Sequence, residues 1–168
     1  FSDVLSSTDD RLYSPRTPRN ELMSNIIADL DYAIDNLPTA KNLYRVTKWA
    51  ALALKSRACL YEGTWRKYHG VSGYESYLTA AATAAETLID SRQYTIYATG
   101  EQPYRDLFAA DKAKAEEVIL ARNYFLGLSI VHSANLYFFG GGSAPGLNKK
   151  VVDSYLMKDG TRFTDQAD

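Results

Sequence analysis

At 168 residues the chain has room for one domain and not for two independent ones. Hydrophobic residues at 46% and charged residues at 23% are ordinary for a globular protein and exclude a disordered tail or a fibrous repeat. Nineteen Lys and Arg against 20 Asp and Glu leave a net charge of −1, without the basic surplus that a nucleic-acid partner demands.

Residues 1–20 are polar and punctuated by Pro15 and Pro18, which predicts an extended lead-in. Thr17 is the expected N-cap of a first helix, with Pro18 in its first turn. From Glu21, residues Leu22, Ile26, Leu30, Ala33, Ile34 and Leu37 recur at three and four, and Pro38 stops the pattern. Asp29, Asp31 and Asp35 lie off that stripe and are expected in solvent.

A second helix starts after Thr47, with Ala50, Leu54, Ala58, Tyr61 and Trp65 as its apolar stripe and Lys48, Lys55, Arg57 and Glu62 on the other face. Its alanines at 50, 51, 53 and 58 let neighbouring helices approach on more than one side. Gly63 and Gly70 are expected to bracket its exit, around the aromatic and basic segment Thr64 to His69. A third helix spans Tyr74 to Ser91, with Leu78, Ala81, Ala82, Ala85, Leu88 and Ile89 on one stripe. Two alanine-rich amphipathic helices with a short connection predict an antiparallel pair, the unit of tetratricopeptide-type stacks.

Beyond residue 91 the helical period fades. Tyr94 to Tyr97 alternates as a short strand, Tyr104 to Leu107 allows one helical turn, and Val118 to Leu120 is a short apolar run of strand type. Residues 122–147 read as a long irregular loop, more often a binding loop than a spacer. Lys149 to Met157 reads as a short helix, and Asp159-Gly160 as a turn.

Catalytic and metal chemistry finds little purchase. Cys59 is the lone cysteine, which excludes an internal disulfide, and with His69 and His132 it cannot complete a zinc site of usual composition. An all-oxygen calcium site stays open, because Asp and Glu are plentiful. No apolar run approaches a membrane span. The glycines from Gly140 to Gly146 fail as a phosphate loop, since Leu147-Asn148 stands where Lys-Ser/Thr is required. Gly141 to Pro145 lacks the last glycine of a nucleophile elbow, and a triad of Ser143, His132 and Asp153 is the kind of trio any chain of this size offers. Glu116 and Glu117 would point to opposite faces of a strand, so they are read as solvated strand ends and not as a glycosidase pair. Trp65 to Tyr68 is better explained by helix-end packing than by nucleic-acid stacking. No catalytic residue, cofactor or metal ligand is assigned, and the chain is read as a non-enzyme.

What remains is an aromatic loop. Tyr124, Phe125, Tyr137, Phe138 and Phe139 alternate with Asn123, His132 and Asn135, offering flat faces beside amide and imidazole edges. Sugar rings present C–H patches to aromatic faces and hydroxyls to polar edges, so Asn123, Tyr124, His132, Asn135, Tyr137 and Phe138 form a candidate glycan-binding set. The competing reading has Phe125, Phe138 and Phe139 plugging a core beneath the loop.

Residues 25–38, 45–57 and 60–69 resemble SusD/RagB-like proteins, and Tyr104 to Phe108, Glu117 to Leu120 and Tyr155 to Gly160 follow in the order that family shows. The resemblance implies a mainly α fold of tetratricopeptide-like helix pairs, an α-α superhelix with a few short strands and long loops. It implies one partial domain over 1–168: a lead-in at 1–20, a helical scaffold at 21–91, and short strands, aromatic loop and short helix at 92–168. It further implies a non-catalytic receptor, lipid-anchored on the outer surface of the outer membrane. Such receptors capture oligosaccharides or polysaccharides, or peptides in the RagB branch, for a SusC-like TonB-dependent transporter. The family's lipidated cysteine is not in this sequence, so the resemblance implies an internal piece of a longer protein. A reading from another class is a structural helical-repeat scaffold whose partner is a protein bound on the three helices.

Overall fold

A computed structural model describes residues 4–124, 127, 129, 130, 133, 146–162 and 164. The chain divides into two units, 1–122 and 123–168, and each is taken by itself.

The first unit is helical. A 3-10 turn at Asp10–Tyr13, capped by the Asp9 carboxylate on the Arg11 amide, interrupts the predicted extended lead-in. Helix α1 covers Arg19–Asn36, α2 Lys48–Tyr68, α3 Tyr74–Asp90 and α4 Pro103–Ala109. Helix α1 packs on α2, and α2 packs on α3 across the short connection at 69–73, which makes the predicted helical hairpin. Gly73 takes a positive φ of 79° at the start of α3, a left-handed conformation that favours glycine.

Several details depart from the periodicity. Helix α1 begins one residue later than the cap assignment, with Pro18 and not Thr17 as its boundary. Helix α2 runs straight through Gly63 to Tyr68, so Gly63 is no exit signal. It is a contact instead: a Cβ there would lie 2.7 Å from Leu78 Cδ2 and 2.8 Å from its Cγ, so only hydrogen lets α3 come this close. Ser56 adds a bond across the same interface, its hydroxyl donating to the Ala81 carbonyl at 2.9 Å.

The buried face of α2 is rotated from the predicted stripe. Ala51, Leu52, Cys59, Glu62, Gly63 and Arg66 are buried, while Leu54 and Tyr61 are 56% and 64% exposed. On α3, Ala81 and Ala84 are buried, Ala82 is exposed and Ile89 is largely in water. On α1 the stripe holds, with Leu30 buried and Ile26, Ala33, Ile34 and Leu37 partly covered. Asp31 is not simply solvated, because it pairs with Lys55 of α2.

No β-strand forms among the described residues of the first unit. The Thr95 amide reaches the Glu116 carbonyl at 2.9 Å, but the next outward amide, of Tyr97, bonds the Glu117 carboxylate at 2.7 Å in place of a backbone acceptor. A ladder therefore cannot propagate, and the Glu117 carboxylate accepts from a backbone amide instead of being a solvated end. Residues 118–120 follow a turn at 115–117, and the Ala121 amide closes on the Leu43 carbonyl at 2.8 Å.

In the second unit, α5 spans Lys149–Asp153. The Asn148 side chain caps it by accepting from the Val151 amide at 2.9 Å, and Lys149 pairs with Asp153 at 2.6 Å. It stops short of the expected Met157, because Met157 enters a tight turn: its amide donates to Thr161 and its carbonyl accepts from Gly160, which has φ +86°. An isolated antiparallel bridge joins Leu156 to Arg162 around the predicted Asp159-Gly160 turn.

Candidate functional site

Of the six candidate glycan contacts, Asn123 and Tyr124 lie among the described residues, and both are exposed. His132, Asn135, Tyr137 and Phe138 lie outside them, as do Phe125, Phe139 and Ser143.

The first unit holds a charged centre that the sequence reading put on the wrong face. Glu62 has no solvent exposure, yet it carries two guanidiniums. Arg19, at the head of α1, reaches its Oε2 through Nε at 2.9 Å and Nη2 at 2.6 Å. Arg66, one turn along α2, donates from Nε to Oε1 at 2.8 Å. Arg66 also donates to the Ser72 carbonyl at 3.1 Å and to Asn20 Oδ1 at 2.5 Å, which fixes the turn ahead of α3 and the first turn of α1. Burial alone would raise the Glu62 pKa, but the hydrogen bonds and charges of Arg19 and Arg66 outweigh it and hold the carboxyl below the usual glutamate range. Such a group neither gives nor takes a proton near neutrality. The available signal was the Glu62/Arg66 spacing of four on the same side as Cys59 and Gly63.

The same arginine occupies the helix-end aromatics. The Arg19 guanidinium lies 3.7 Å over the Trp65 ring, and His69 stacks on Trp65 with centroids 4.4 Å apart. Both contacts keep Trp65 in the packing of the helix end, as the sequence reading prefers over nucleic-acid stacking.

Aromatic surface that is open to solvent sits on α4. Tyr104 and Phe108 pair at 4.9 Å and 57°, largely exposed, and with Arg105 they line a shallow depression of about 360 Å³. A larger apolar groove of about 650 Å³ runs between α1 and α2 and is closed at one side by residues 117–120.

Among the described residues no group of three or more His, Cys, Asp or Glu is placed to hold a metal ion. Cys59 is buried, and burial pushes its thiol pKa up, which keeps it in the unreactive protonated form. No helix of the described residues is long and apolar enough to cross a membrane.

The chain is 30% identical, over 108 residues, to a SusD-like protein of Formosa agariphila, which makes it a distant homologue of that protein. The alignment takes in 64% of this chain and 18% of the relative, so the chain spans less than a fifth of the relative's length. No family model matches the chain. No solved structure matches it either.

Proposed function

We propose that this chain is part of a non-catalytic receptor of SusD type. The receptor holds oligosaccharides or polysaccharides at the cell surface and delivers them to a SusC-like TonB-dependent transporter in the outer membrane. The observation that carries the reading is the homology to the Formosa agariphila protein, and the helical hairpin of α2 and α3 is compatible with it. In this reading the hairpin is scaffold and residues 123–138 are the gripping surface. Asn123, Tyr124, His132, Asn135, Tyr137 and Phe138 supply ring faces and polar edges to sugar rings. Asn123 and Tyr124, the two members of that set among the described residues, are exposed, as ligand contacts must be. Glycan binding of this kind is shallow stacking plus hydrogen bonds, with no bond broken.

The test is retardation of the protein in native gels containing soluble polysaccharides. Retardation by at least one of them, lost on Tyr137→Ala, is the expected result. Retardation that persists through substitutions across 123–139 removes the loop assignment, and binding of oligopeptides in place of any glycan replaces the ligand with the RagB class.

A further inference from the structure

Helix α4 presents rings and a charge together. Tyr104 and Phe108 stand one turn apart and support each other, which fixes both rings before anything binds. They nevertheless remain 78% and 71% exposed. Their planes meet at 57°, so the pair makes a corner and not a flat strip. Arg105, also exposed, lines the same depression of about 360 Å³. That volume is at the small end of ligand sites, which run from about 300 to 1,000 Å³.

The electrostatics of the corner select its occupant. Arg19 and Arg66 also lie over rings, those of Trp65 and Tyr77, but both are bound by the Glu62 carboxylate. Arg105 makes no ion pair or hydrogen bond among the described residues. The adjacent carboxylate, Asp106, lines a different depression with Tyr97 and Lys114, and its Oδ2 lies against Gly100, 3.1 Å from where a Cβ would stand. The guanidinium therefore offers its paired donors to an incoming anion beside two open ring faces. A planar guanidinium matches a carboxylate with two parallel hydrogen bonds, and an aromatic face receives the C–H face of a sugar. A uronic acid carries both on one ring. A neutral sugar would engage the rings and leave the charge unmatched. An acidic peptide would bring backbone groups to a lining of Tyr104, Arg105, Phe108 and Ala109, which holds no second polar side chain beyond the Tyr104 hydroxyl.

We infer that the α4 corner binds one uronic-acid residue of an acidic oligosaccharide, with the Tyr104 or Phe108 ring against its C–H face and Arg105 on its carboxylate. The inference rests on the receptor reading for its ligand class, and it adds a site within the first unit made of none of the loop residues.

The experiment is saturation-transfer difference NMR on the 168-residue chain with oligomers of galacturonate, mannuronate, guluronate and glucuronate, each beside its methyl ester. At least one uronate is expected to bind, and its ester to bind about tenfold more weakly. Arg105→Gln is expected to weaken the acid by about the same factor and to leave the ester unchanged. Tyr104→Ala combined with Phe108→Ala is expected to abolish both signals. Circular dichroism checks that the variants fold; if the double variant unfolds, Arg105→Gln and the ester comparison decide. Three results overturn the inference: no uronate binds, acid and ester bind alike or ignore Arg105→Gln, or glutamate-rich peptides bind through Arg105 in place of sugars. Retardation by a polysaccharide that is lost on Tyr137→Ala, with no uronate bound at α4, removes this site and leaves the receptor standing. No saccharide bound by either measurement removes both.

Discussion

Glu62 concentrates more consequence than any other side chain described. Arg19 reaches both of its oxygens, Arg66 shares Oε1, and Arg66 goes on to the Ser72 carbonyl and Asn20, so one carboxylate ties the start of α1, the end of α2 and the turn into α3. Removing it leaves the nearly buried Arg66 without a counter-charge, whereas the Arg19 side chain, 40% exposed, can turn toward water. Glu62→Gln is therefore expected to lower stability by about 3 kcal/mol at neutral pH, toward the low end for a broken buried pair. The sign of the pH dependence follows from the lowered pKa. The folded state holds the carboxyl ionised more firmly than the unfolded chain does, so its contribution is complete above the unfolded value of about 4.3 and is lost as pH falls through the folded one. Urea melts of wild type and variant should stay apart at pH 7 and 5.5 and converge below about pH 4. A gap that is unchanged in acid refutes the electrostatic account.

At the scale of elements, the contact of α2 with α3 turns on Gly63. Glycine inside a helix ordinarily costs about 1 kcal/mol against alanine, so Gly63→Ala at an open position would stabilise. Here the new methyl meets Leu78 at 2.7 Å and its backbone nitrogen at 3.2 Å. The substitution is expected to destabilise by about 1–2 kcal/mol, as overpacking does. Combining it with Leu78→Ala should cost less than the two changes summed, which thermal melts of the four proteins measure directly. Additive effects would show that the clash is relieved elsewhere.

The first three helices were legible because each carries a run of threes and fours, with Pro38 closing α1 and Gly70 following α2. Their faces were less so. Polarity placed Glu62 in solvent and Leu54 and Tyr61 in the core, and the fold does the reverse, because paired charges and a glycine outrank hydropathy where two helices must touch. The expected strand at 94–97 failed for a related reason: alternation is a local signal, whereas a ladder needs a neighbour, and the Glu117 carboxylate took the amide that neighbour would have used. Of the candidate site, Asn123 and Tyr124 are exposed and the other four residues lie outside the described ones. The charged centre around Glu62 was legible only as a spacing of four.

For the molecule as a whole, the division after Arg122 sets the next expectation. Helices α1 to α4 and the segment that closes on Leu43 all belong to the first unit, so a chain ending at residue 122 should fold by itself. Its far-ultraviolet spectrum should retain the helical signal with a cooperative melt. A non-cooperative melt would mean that residues 123–168 supply part of that unit's stability.

The two tryptophans of the chain fall at different joints of this scaffold. Trp65 is clasped by Arg19 and His69 where α1 begins and α2 ends, and Trp49 donates its indole proton to the Thr39 carbonyl at 2.8 Å in the link from α1 to α2. Light emitted by one reports whether the ionic knot is tied, and light from the other whether the linker is seated. The protein thus comes with two built-in fluorophores that can watch opposite ends of the same helical contact come apart.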